Sequence, residues 1–158
     1  RTGTIEESKL QSQVLDVVKK DLLFTRVLNI VEGGPRYTGK AEELRYWSKL
    51  NADILLTGTL FLDGNRVLAN ARLVDVESQK EIWSMDFSED YPSGVRKLAH
   101  RISDEIFLRL TGERGIASTK IVFANDASGS KELYLIDYDG HNLKKVTDEK
   151  SIILLPKF

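Results

Sequence analysis

The sequence predicts an α+β domain over residues 1–112, with helices packed on a small mixed sheet, followed by an all-β segment over residues 119–158. Three observations carry this prediction. Apolar residues recur at three- and four-residue spacing in three separate stretches, they alternate in a run of strands between the second and third of these, and beyond Thr119 only short strands and turns remain.

Thr4-Ile5-Glu6-Glu7 has the Thr-x-x-Glu spacing of a capping box, in which hydroxyl and carboxylate each satisfy a free N–H at a helix start. The helix expected over about residues 5–21 has one broad apolar face, made by Leu10, Val14 and Val17 with Leu15, Val18 and Leu22 alongside. Phe24 to Val31 is rich in β-branched and aromatic types and stops at Gly33-Gly34-Pro35, which predicts a strand running into a loop. A shorter helix fits residues 41–50, where Leu44, Trp47 and Leu50 share a face before Asn51 and Asp53 end it.

Ile54 to Leu62, the turn Asp63-Gly64-Asn65, and the alternation of Val67, Ala69, Ala71 and Leu73 predict an antiparallel hairpin. After a turn at Glu77 to Lys80, Trp83, Met85 and Phe87 alternate with polar residues and extend it to a three-stranded meander. The apolar face of this sheet needs covering, and the helix after Pro92 is suited to it, with Val95, Leu98, Ala99, Ile102, Ile106 and Leu110 on one stripe. Gly112 stands where a residue of positive φ would end that helix. Beyond it come Ile121 to Ala124, a polar turn at Asn125 to Ser130, Leu133 to Asp137, the turn Asp139-Gly140, Val146, and a last apolar run Ile152 to Leu155. About 40 residues of meander cannot close a core alone.

With 23 basic and 24 acidic residues the net charge is −1, so no global field draws the chain to nucleic acid or to an acidic membrane. An RNA-binding reading of the α+β domain lacks the basic face it would need. The absence of cysteine removes disulfides, thiolate nucleophiles and cysteine-ligated metals together. No apolar run approaches the roughly 20 residues that span a bilayer, so no direct membrane insertion is expected. Arg1-Thr2-Gly3-Thr4 leads directly into a polar helix, and a signal peptide is expected to lie outside these residues if the protein is exported.

The two histidines, His100 on the long helix and His141 in a turn, have no ligand spacing around them, and no metal is expected. His100 is expected at the rim of the helix stripe, bonded to Asp104 one turn later. Asp137-x-Asp139-Gly140 lacks the regular acidic positions of a calcium loop and reads as a hairpin turn. Neither Gly33-Gly34-Pro35 nor Gly112 to Gly115 makes a phosphate cradle, and Ser128-Gly129-Ser130 is no nucleophile elbow, so no cofactor and no catalytic residues are expected. Trp47, Trp83 and Phe87 fall at core spacing; Lys19-Lys20 and Lys144-Lys145 are solvated charge.

Ala99-His100-Arg101-Ile102-Ser103-Asp104-Glu105-Ile106, followed by Leu110-Thr111-Gly112-Glu113-Arg114-Gly115-Ile116-Ala117-Ser118-Thr119-Lys120-Ile121, resembles the junction in TolB proteins between the last helix of the N-terminal domain and the first propeller strand. Ala52 to Gly58 and Arg72 to Val76 look like that domain's sheet strands, and Leu133 to Asn142 followed by Val146-Thr147 is similar to the hairpin repeated in each blade of TolB-type propellers. The resemblance implies an N-terminal α+β domain over 1–112, a linker over 113–118 with Thr111, Gly112, Gly115 and Thr119 at its ends, and the first strands of a truncated β-propeller over 119–158. It also implies a non-enzymatic periplasmic adaptor of the Tol-Pal envelope system, joining TolA to Pal in support of outer-membrane integrity, cell division and colicin import.

In the family a strand, and before it a partner-binding stretch, precede the first helix. That stretch and the body of the propeller, which carries the Pal surface, are expected to lie outside this chain. The strands over 119–158 are expected to add to the first domain's sheet, to pair with another copy, or to be poorly ordered, because a lone blade exposes strand edges. The alternative is the N-terminal part of a propeller-bearing serine peptidase, which the full-length gene would reveal by a later Gly-x-Ser-x-Gly segment.

Overall fold

The computed structural model describes residues 5–127 and 129–148. Among these lie three helices and two three-stranded sheets, in the order α1 (Ile5–Phe24), α2 (Ala41–Lys49), β1 (Ile54–Asp63), β2 (Arg66–Asp75), β3 (Lys80–Asp90), α3 (Val95–Thr111), β4 (Lys120–Asn125), β5 (Glu132–Asp137) and β6 (Lys144–Lys145). The chain divides into two compact units, residues 1–114 and 115–158.

In the first unit β2 is the central strand, antiparallel to both neighbours. A two-residue turn at Gly64-Asn65, with Gly64 at φ +59°, sets the β1–β2 register by pairing Asp63 with Arg66. That register puts Leu56, Leu60 and Leu62 of β1 on the same face as Val67, Ala69, Ala71 and Leu73 of β2. Phe87 and Trp83 of β3 join them, their rings tilted at a centroid distance of 6.4 Å. Helix α1 covers this face with Leu10, Val14, Val17, Val18 and Leu22, and α3 with Val95, Leu98, Ala99, Ile102 and Ile106. The close packing of β1 on β2 explains Gly58, since a Cβ there would stand 2.0 Å from the Asn70 carbonyl oxygen.

Within the described part of this unit, a second apolar cluster covers one end of the opposite face. Leu55 and Val74, cross-strand neighbours of the other parity, bury against Leu44 of α2 and Val76, with Tyr37 and Trp47 alongside. Helix α2 starts where the Glu43 carboxylate accepts from the Thr38 N–H at 2.6 Å, the Thr38 hydroxyl at 2.7 Å and the Lys40 N–H at 3.3 Å. The loop before it is fastened by Trp47, whose indole N–H donates to the Pro35 carbonyl at 3.0 Å. The ring lies so close to Gly34 that a Cβ there would meet it at 2.5 Å.

Several expectations need correction. Phe24 to Val31 is not a strand: α1 runs to Phe24, and residues 27–37 follow an irregular path. Leu28 and Ile30 do alternate inward against the core, but among the described residues no ladder lies alongside for their backbone to join. Without that strand the sheet is antiparallel throughout. Leu15 lies off the buried stripe of α1 and is half exposed. The proposed capping hydroxyl, Thr4, and the apolar run Ile152 to Leu155 lie outside the described residues.

The second unit pairs β4, β5 and β6 with one another, so its strands do not add to the first sheet. They are consistent with the opening of a propeller and close no ring among the described residues. Phe123 stacks on Tyr134 across β4 and β5 at 5.8 Å. Glu132 is wholly buried, its Oε2 accepting from the Thr147 hydroxyl at 2.6 Å, while that hydroxyl oxygen accepts from the Leu133 N–H at 2.9 Å. The turn at Asp139-Gly140 has Gly140 at φ +85°, and the Asp137 carboxylate beneath it is held by Asn142 Nδ2 at 2.6 Å and by Lys120.

Candidate functional site

Three of the four residues singled out at the junction, Thr111, Gly112 and Thr119, lie in two hydroxyl-braced turns. At the end of α3 the Thr111 hydroxyl donates to the Phe107 carbonyl at 2.8 Å, and its oxygen accepts from the Glu113 N–H at 3.1 Å. Gly112 takes the left-handed conformation at φ +79°, and its N–H returns to the Leu108 carbonyl at 2.9 Å. Seven residues later the Thr119 N–H and hydroxyl both donate to the Ile116 carbonyl, at 3.0 and 2.6 Å. The Thr119 carbonyl in turn accepts from the Tyr138 N–H at 3.2 Å. Gly115 is the first residue of the second unit.

A polar cluster that periodicity did not reveal lies between α1 and α3. His100 is buried at 4% exposure rather than on the rim, and its Nδ1 lies 2.8 Å from Asp21 Oδ2, one helix away from the Asp104 expected as its partner. The Ser103 hydroxyl donates to the same Asp21 oxygen at 2.8 Å. The His100 stripe position was read from α3 alone, and nothing in the spacing of Asp21 on α1 pointed across the interface. The residue types suggest a nucleophilic triad, but the order is wrong for one. Activation requires the imidazole between hydroxyl and carboxylate, whereas here the carboxylate stands between the other two, and all three are buried.

The two edges of the first sheet are treated differently. At β3 the Arg109 guanidinium donates to the Ile82 carbonyl at 3.1 Å, beside a bulge in the β2–β3 pairing. Glu89 on the same strand is clamped by Arg101 at 2.7 Å and Lys97 at 3.0 Å. Burial acts against its ionisation most strongly of any single influence, but the hydrogen bonds and the charge attraction of Arg101 and Lys97 together outweigh it and hold its carboxyl below the ordinary value of 4.5. Along β1 the outward N–H of Leu62 donates to the Glu7 carboxylate at 3.2 Å. A groove of about 660 Å³ follows that edge, between Val14 and Leu15 of α1 on one side and Tyr37 and Trp47 on the other. No described helix is long and apolar enough to cross a membrane.

The sequence profile of the TolB amino-terminal domain matches residues 2–82, half of the chain. Among curated proteins, the Tol-Pal system protein TolB of Roseobacter denitrificans is 32% identical over 165 residues, spanning 98% of this chain and 37% of its own length. That of Geobacter metallireducens is 38% identical over 112 residues, spanning 71% of this chain and 26% of its own. The chain thus spans between about a quarter and little more than a third of the length of these relatives. The crystal structure of TolB from Acinetobacter baumannii superposes with a TM-score of 0.69 over 87% of this chain and 36% of that one, at 21% identity, which establishes a shared fold. With profile, relatives and fold in agreement, the chain belongs to the TolB family.

Proposed function

We propose that this chain is the N-terminal part of a periplasmic, non-enzymatic adaptor of the Tol-Pal envelope system, and that its contribution is to hold and couple. In this reading the full-length protein joins TolA at the inner membrane to Pal at the outer membrane, supporting envelope integrity and constriction at division, and it is exploited in colicin import. Residues 1–112 form the N-terminal domain, 113–118 the joint, and 119–158 the first strands of the propeller. The single observation that carries the reading is the family match, together with relatives named as Tol-Pal system proteins. Thr111, Gly112, Gly115 and Thr119 are its mechanical residues, supported by the hydroxyl bonds that brace both ends of the joint.

The serine-peptidase alternative gains no support, because the relatives matched are TolB proteins and the buried serine here is bonded to a carboxylate. The deciding experiment is a pull-down of the full-length protein with Pal and with TolA. Retention of both is the expected result, and binding to neither would remove the Tol-Pal assignment.

A further inference from the structure

Helix α3 delivers the chain to the joint, so its setting along α1 determines where the joint begins. Apolar packing fixes such a setting weakly. The contacts between Val14, Val17 and Val18 on α1 and Ala99, Ile102 and Ile106 on α3 are non-directional, and packed helices shear past one another by roughly 1–2 Å when conditions favour it.

Asp21 supplies direction at this interface. Its Oδ2 accepts from His100 Nδ1 and from the Ser103 hydroxyl, each at 2.8 Å. Residues 100 and 103 are three apart on one helix and therefore adjacent on one face, so the carboxylate sits astride a single turn of α3. The one Ser103 proton has a second acceptor in the Ala99 carbonyl at 3.0 Å, but the Asp21 oxygen at 2.8 Å is the nearer of the two. A slide of α3 by one residue, about 1.5 Å along the axis, would stretch at least one of the two bonds past hydrogen-bonding range. Three polar side chains at 2–4% exposure also cost desolvation that a leucine and an alanine in the same space would not. What they add is a unique setting.

We propose that Asp21, His100 and Ser103 form a register lock, which holds α3 at one axial and rotational position against α1 and thereby fixes the root of the joint. Loss of the lock lets α3 shear along α1 while the apolar interface stays closed. The inference rests on the reading of residues 113–118 as a mechanical joint. Its test needs no partner protein, so a failure to bind TolA or Pal would leave the result standing.

The absence of native cysteine allows clean spin labelling at Lys9→Cys on α1 and Leu108→Cys on α3, both exposed positions. In the 158-residue chain the label-to-label distance measured by pulsed electron resonance should form one narrow distribution. Asp21→Leu should broaden or split it, and Ser103→Ala, which removes one of the two bonds, should do so less. In parallel, amide exchange over residues 108–119 should quicken by on the order of tenfold, the size expected from losing one buried hydrogen bond, while β2 amides keep their protection. Unchanged distributions in the folded variants would overturn the lock. So would an equal loss of protection in β2 and the joint, since that is ordinary destabilisation. If Asp21→Leu does not fold, Ser103→Ala decides alone.

Discussion

The two units are buried in different ways. In the described part of residues 1–114 the inaccessible side chains are overwhelmingly apolar, drawn from both long helices, β2 and β3 into one cluster, with a smaller cluster on the far face of the sheet. In the described part of residues 115–158 the buried side chains are Ala117, Glu132 and Asp137. One unit is closed by the hydrophobic effect. The other is pinned by hydrogen bonds around two carboxylates, while Ile121, Leu143 and Val146 stay at least half exposed. A three-stranded meander of this size gains little from area burial, so its order depends on directional bonds.

That contrast can be broken at its strong end first. Leu98→Ala empties a fully buried site between α3 and the sheet and should cost about 2–5 kcal/mol, read as a lower midpoint in urea unfolding followed by tryptophan fluorescence. A loss under 1 kcal/mol, on that scale of large-to-small core substitutions, would mean the cluster collapses around the gap and is not close-packed. Glu132→Ala removes the acceptor of Thr147 and should cost about 1–3 kcal/mol, confined to the second unit. Amide exchange would show it, with β4 and β5 losing protection and β2 unaffected. An equal effect on both sheets would erase the distinction between the units.

Gly58→Ala forces a Cβ against the Asn70 carbonyl and should cost about 1–3 kcal/mol through displaced strands, seen as weakened protection along β1. Gly112→Ala, in a left-handed cap, should cost about 1–2 kcal/mol, and thermal unfolding would register it. The smallest effect is on acid stability. Glu43 is held below its ordinary value of 4.5, first by the Thr38 N–H and then by the Thr38 hydroxyl, and Glu89 is held below 4.5 as described. A carboxyl whose folded pKa is depressed contributes stability that is present above the unfolded value and lost as pH falls through the folded one. The unfolding temperature should therefore drop below pH 4.5, and Glu89→Gln should flatten that decline. A slope identical to the parent's would show that the Arg101 and Lys97 clamp contributes nothing.

Elements with a complete local signature were legible in the sequence. The β1–β2 hairpin announced itself through alternation and an Asp-Gly turn, and α3 through an apolar stripe ending at a glycine that proved left-handed. Phe24 to Val31 misled because its composition describes a half-buried alternating segment, which holds only at Leu28 and Ile30, while strand status also requires a neighbour to pair with. The two-sided covering of the sheet was missed for a related reason. Leu55 and Val74 occupy the parity expected to face water, and only the path of the loop before α2 brings Leu44 over them. The Asp21–His100 contact spans 79 positions, and no periodicity within one helix encodes a partner on another.

The placement of the two tryptophans has an optical consequence. Trp83 belongs to the layer between the sheet and the long helices, Trp47 to the layer on the other side, beneath Gly34 and bonded to Pro35. The sheet thus carries one intrinsic fluorophore on each surface. Trp83→Phe leaves an emission that follows the loop and α2 alone, and Trp47→Phe leaves one that follows the main core, so the order in which the two layers open could be timed with no added dye.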